Sequence, residues 1–133
     1  MRRLCIIAAI LLAGLSSAQA GACDEAADQA AMNACADKAL KASDAALNAT
    51  YKKITRRLAG DPDATRQLVA AQRAWVSFRD AECTFTSSGT RGGSAYPMVY
   101  STCLDGLTRS RIADLEALLA CQEGDLSCPV PAE

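Results

Sequence analysis

Six cysteines, Cys23, Cys35, Cys83, Cys103, Cys121 and Cys128, follow an N-terminal segment that reads as a secretion leader, and this combination constrains the fold most. The chain opens with Met1-Arg2-Arg3, continues through an apolar run from Leu4 to Leu15, and reaches Ser16-Ser17-Ala18-Gln19-Ala20, which offers an A-x-A cleavage site. The seventh cysteine, Cys5, would leave with residues 1–20. Six cysteines in an exported chain imply three disulfides formed in an oxidising compartment, where they stabilise a domain too small for a large core. Lipid attachment at Cys23 is disfavoured, because Ala20 stands where an acceptor motif needs an apolar residue. Without a second long apolar run, no stable membrane anchor is expected.

The 133-residue chain less its leader leaves 113 residues, a single-domain length. Twelve basic and 15 acidic residues remain once Arg2 and Arg3 are removed, a net charge of −3. That balance argues against nucleic acid and mildly favours a cationic protein partner. With no histidine and no CxxC pair, no compact zinc site and no other metal constellation is expected, nor any cofactor.

Helical periodicity organises the rest. Leu40, Asp44, Leu47, Tyr51, Ile54 and Leu58 step by four and three along one helix face, and Gly60-Asp61-Pro62-Asp63 ends that helix and caps the next. A second helix is predicted from about residue 63 to 84, with Leu68, Gln72, Trp75, Arg79 and Cys83 inward. Residues 84–97, rich in Gly, Ser and Thr, read as the main loop, and a third helix over about 98–121 turns Leu104, Leu107, Thr108, Arg111, Leu115 and Leu118 inward. The alanine-rich stretch before Leu40 predicts a short first helix folded back on the others, with Asn33 marking a kink. The expected fold is all-α: a small disulfide-stapled antiparallel bundle of three to four helices over residues 21–121, followed by an irregular tail, 122–133.

Pairing the helices across their connections brings residues whose numbers sum to about 121 level in the first pair, and to about 182 in the second. Asn48 and Tyr51 then meet Gln72, with Thr108 and Arg111 arriving from the third helix. Arg79 falls nearby, with Asp44 or Asp105 as its partner. This layer, with Trp75, reads as a satisfied polar network that fixes helix register. The competing reading is a cleft in which Arg79 or Arg111 grips an anion, and it lacks any histidine or free thiol for chemistry. The same heights suggest disulfides Cys35–Cys83 and Cys23–Cys103, with Cys121–Cys128 tying down the tail. Trp75→Ala is expected to cost about 3 to 5 kcal/mol if the ring is core.

Catalysis is not expected. The absence of histidine excludes the common Ser-His and Cys-His systems. Ser94 lies among glycines and reads as a turn residue. Asp80 and Glu82, two apart on a helix, point to different sides and do not form a glycosidase pair. Asn48-Ala49-Thr50 matches a glycosylation pattern no better than chance would.

The segments DAALNATYKKI, AAQRAWVSFRDAEC and CLDGLTRSRIADL resemble the LprI-type lysozyme inhibitor family, long classed as a domain of unknown function. The resemblance runs over about residues 23–121 and falls on Cys23, Cys35, Leu47, Asn48, Tyr51, Gln72, Trp75, Arg79, Asp80, Cys83, Gly93, Ser94, Cys103, Leu104, Thr108 and Arg111. It implies a periplasmic or secreted binding protein that occludes a muramidase and is not itself an enzyme. Arg91 in SSGTRGGSAY is then the candidate insert, with Gly92, Gly93, Ser94 and Tyr96 shaping the contact, against the plainer reading of this loop as a simple connection between two helices. The alternative is an envelope assembly or structural protein that binds another exported protein without inhibiting lysozyme.

Overall fold

A computed structural model describes Cys23 and residues 25–132, so the leader lies outside the described residues. Three long helices make up the fold: α1 Gln29–Arg57, α2 Pro62–Thr86 and α3 Tyr96–Leu119, with one 3-10 turn, Ser88–Thr90, between the last two. The described residues include no strand, as an all-α fold requires.

Each boundary follows from local chemistry. Asp28 caps α1 by accepting from the Ala31 amide at 2.8 Å, and Asp61 caps α2 by accepting from the Ala64 amide at 2.9 Å, directly before Pro62. A carboxylate at that position satisfies amides that the first helical turn leaves unpaired, and proline fits where no amide is needed.

The separate first helix does not exist: α1 runs unbroken from Gln29, through Asn33, into the Leu40 face. Asn33 fails to kink it because its side chain is engaged elsewhere. Its Oδ1 accepts from Gln29 Nε2 at 2.9 Å and its Nδ2 donates to the Ser94 carbonyl at 3.0 Å, so the amide does not compete for helical backbone bonds.

The disulfides are Cys23–Cys35, Cys83–Cys103 and Cys121–Cys128, with Cα–Cα distances of 5.6, 5.6 and 5.7 Å. The expected Cys35–Cys83 and Cys23–Cys103 pairs are therefore overturned. The Cys23–Cys103 pair rested on a fold-back helix, and with α1 continuous Cys23 instead turns back onto its own helix and takes Cys35, the residue that equal heights had set against Cys83. Cys83 and Cys103 flank the same connection, about one turn from equal height, and close it.

The helices run up, down and up. Asn33 and Gln29 meet the start of α3 through Ser94 and Met98, while at the other end Arg57 Nη1 donates to the Leu119 carbonyl at 2.7 Å. α1 and α3 thus lie parallel and share most of the core, with α2 antiparallel beside them. Buried Leu47, Ile54, Leu58 and Leu115 form that core towards the Gly60 turn, and Val130 of the tail closes it. Tyr51, Leu68, Trp75 and Ile112 pack around it, half-buried. α2 contributes a single fully buried residue, Cys83.

Candidate binding loop and polar layer

Three side chains of α2, spaced three and four apart, build the polar layer. Arg79 is only 14 % exposed and makes most of its contacts: Nη1 lies 3.1 Å from Asp44 Oδ1 and donates to Thr108 Oγ1 at 3.3 Å, while Nε pairs with Asp80 Oδ1 at 3.0 Å. Thr108 is fully buried. Arg111 Nε donates to Gln72 Oε1 at 3.1 Å. The Trp75 ring lies within reach of both guanidiniums, 5.3 Å from Arg79 and 5.9 Å from Arg111. Cations over an aromatic face are attracted by its negative π surface, so the ring holds both arginines while they hold the helices in register.

Of Arg79's two candidate partners, Asp44 is the one taken. Asp105 pairs instead with Arg109 on its own helix, Nε to Oδ2 at 2.8 Å, and its Oδ1 is buried without a hydrogen-bond partner. Asn48 is not in the layer. It is exposed, one residue past buried Leu47, because successive residues turn about 100° around a helix. Tyr51 packs against the apolar core rather than joining the network. Trp75 is half-buried, so it is a partly exposed wall of the layer and not the centre of a core.

The connection from Ser87 to Ala95 is a succession of tight turns. Ser87 is fully buried and its hydroxyl donates to the Cys83 carbonyl at 2.6 Å, which terminates α2. The amides of Thr90, Arg91 and Gly93 then donate in turn to the carbonyls of Ser87, Ser88 and Thr90. Gly92 has φ of 81°, a conformation that side chains disfavour, so the glycine after Arg91 is needed for the chain to reverse there. Arg91 and its two following glycines are exposed at the apex.

Two contacts outside the loop hold it. Asn33 donates to the Ser94 carbonyl from α1, and Tyr96 stacks on Tyr100 with centroids 5.7 Å apart. The structure therefore brings Arg91, Gly92, Gly93, Ser94 and Tyr96 into one surface. Sequence reasoning missed Asn33, Gln29 and Ser87 as supports; the Asn33 contact joins residues 61 apart and leaves no local signal. α3 starts at this loop with no side-chain cap and no acidic residue in its first turn, and α1's first turn is also free of acid. The N-termini of α1 and α3 lie at the Arg91 end together with the C-terminus of α2 and the Asp28 carboxylate that caps α1, so the helix dipoles there largely offset one another.

Among the described residues no group of histidine, cysteine or acidic side chains could hold a metal ion, and no helix is long and apolar enough to cross a membrane. In the tail, the Asp125 carboxylate is held below its usual range by accepting from the Ser127 hydroxyl and backbone amide. It belongs to neither the loop nor the layer.

Residues 22–115 match the family model described as Lysozyme inhibitor LprI. An uncharacterized protein of Rhizobium meliloti (strain 1021) is 40 % identical over 112 residues, covering 76 % of this chain and 81 % of the relative. No solved structure matches. The match spans most of the chain, including the polar layer, the loop and two of the three disulfides, Cys23–Cys35 and Cys83–Cys103. The chain belongs to the LprI lysozyme inhibitor family.

Proposed function

We propose that this is an exported protein that inhibits a lysozyme by seating the Ser87–Ala95 loop in the enzyme's cleft, with Arg91 against its acidic residues. The observation that carries this reading is the exposed Arg91 at the apex of a loop tied to α1 through Asn33. Glycoside hydrolysis requires a pair of carboxyl groups at the scissile bond. A guanidinium presented by a pre-ordered loop complements them and sacrifices little conformational entropy on binding. The net acidic charge of the chain without its leader supports steering towards a basic enzyme, while the cationic loop meets the acidic cleft. The polar layer, by this reading, keeps the helices aligned beneath the loop and does not bind.

The test is inhibition of peptidoglycan lysis across several lysozyme types with oxidised protein, alongside Arg91→Ala. Inhibition by the native protein that falls at least about tenfold in a folded Arg91→Ala variant supports the proposal. Full inhibition by that variant would remove the loop from the contact.

One observation favours the second reading, an envelope assembly role. Ala71, Ala74, Phe78, Ala81 and Phe85 form an outward stripe on α2, with Phe78 54 % and Phe85 75 % exposed. Exposed apolar stripes with three-four spacing suit a partner helix. On that reading the native protein inhibits no lysozyme, and Phe78→Asp abolishes capture of the partner.

A further inference from the structure

Two adjoining depressions, of about 620 and 540 Å³, run along the α1–α3 pair and share Cys23, Ala39 and Arg109. Met32, Ala39 and Ala46 of α1 form one wall, and Met98 and Ile112 of α3 form much of the other. From Met32 to Ala46 the helix rises about 21 Å, so the two together make a long trough. Small side chains keep it open: a Cβ added to Gly106 would meet nothing within 4 Å. The methionines are flexible and polarisable, suited to a ligand of simple shape.

Among the charged residues that line the trough, Lys38 and Arg109 outnumber Asp105, which favours an anionic ligand. Asp37 is paired with Lys41 at 2.6 Å, and Asp105 with Arg109 at 2.8 Å. Lys38, on the rim, has no ion-pair partner among the described residues. Mostly apolar concavities with a few convergent polar groups are the usual form of a small-molecule site. We propose that this trough binds a single-chain amphiphile with an anionic head, its unbranched acyl chain lying between α1 and α3 and its head group at Lys38. A trough of this length, open along its side, matches an extended chain better than a compact ring system. Both a fatty acid carboxylate and a lysolipid phosphate provide that chemistry. The inference is independent of lysozyme inhibition.

The test is displacement of a fluorescent fatty acid analogue from the oxidised full-length mature protein, below micelle concentrations, by palmitate and by a lysophosphatidylglycerol. Native mass spectrometry gives the stoichiometry. Displacement at one equivalent by either compound supports the site, and the tighter of the two identifies the head group. Ala39→Trp, which fills the place the two depressions share, is expected to weaken binding at least about tenfold. Exposed Lys38→Glu is expected to weaken it about fivefold with the fold intact by circular dichroism. Failure of both compounds to displace the probe, or native affinity in a folded Lys38→Glu variant, would overturn the proposal.

Discussion

The two ends of this bundle are held by different physics. Near the Gly60 turn, Ile54, Leu58 and Leu115 are buried almost completely and Val130 seals them. At the loop end neither α1 before Leu47 nor α3 before Leu104 buries an apolar side chain larger than alanine. Covalent and polar ties replace burial there: Cys23–Cys35, Cys83–Cys103 and the Asn33–Ser94 hydrogen bond. Apolar burial stabilises but consumes surface, whereas a disulfide stabilises by restricting the unfolded chain and leaves side chains free. The loop end can therefore present Arg91 and an open trough while the Gly60 end supplies the stability.

The contrast can be broken or sharpened by substitution. Ile54→Ala removes a fully buried side chain from the packed end and is expected to cost about 4 kcal/mol in urea unfolding. A loss under about 1.5 kcal/mol would deny that end its role. Replacing Cys83 and Cys103 together with alanine is expected to cost about 3 kcal/mol, since the bridge closes a connection between residues 20 apart. Because Cys83 is the one fully buried residue of α2, amide exchange in the last turns of α2 should accelerate more than in Leu47–Leu58.

Trp75→Ala is expected to cost about 2 kcal/mol, below the figure for a fully buried ring, because Trp75 is half-buried and its two arginine contacts are partly solvated. Loss of the fold would show that the layer is as critical as the core. Asn33→Ala should have the smallest effect, about 1 kcal/mol, with exchange quickened selectively at Arg91–Ser94. Uniform quickening across α1 would mean that Asn33 supports the helix and not the loop.

What could be read from the sequence was what recurs within a helix. Three-four spacing on α1 and α3 identified Leu47, Ile54, Leu104 and Leu115, while helix heights narrowed Arg79's partner to Asp44 or Asp105, of which Asp44 is taken, and put Gln72 and Arg111 in one layer. What failed depended on where a chain segment turns. A fold-back assumed before Leu40 sent Cys23 towards Cys103, and equal heights set Cys35 against Cys83, although both true pairs lie close in sequence, 12 and 20 residues apart. The half-exposure of α2 was not legible either. Its inner stripe is regular, yet Phe78 and Phe85 show that a helix with one good face can carry a second apolar face outward.

The division of labour between the two ends is tested most directly by mapping backbone amide shifts of the labelled, oxidised protein as an inhibited lysozyme is added. The account predicts perturbations at Ser88–Tyr96 and Gln29–Asn33, with Ile54, Leu58 and Leu115 unmoved. Perturbations centred on Ala71–Phe85 or on the Gly60 turn, with the loop silent, would contradict it.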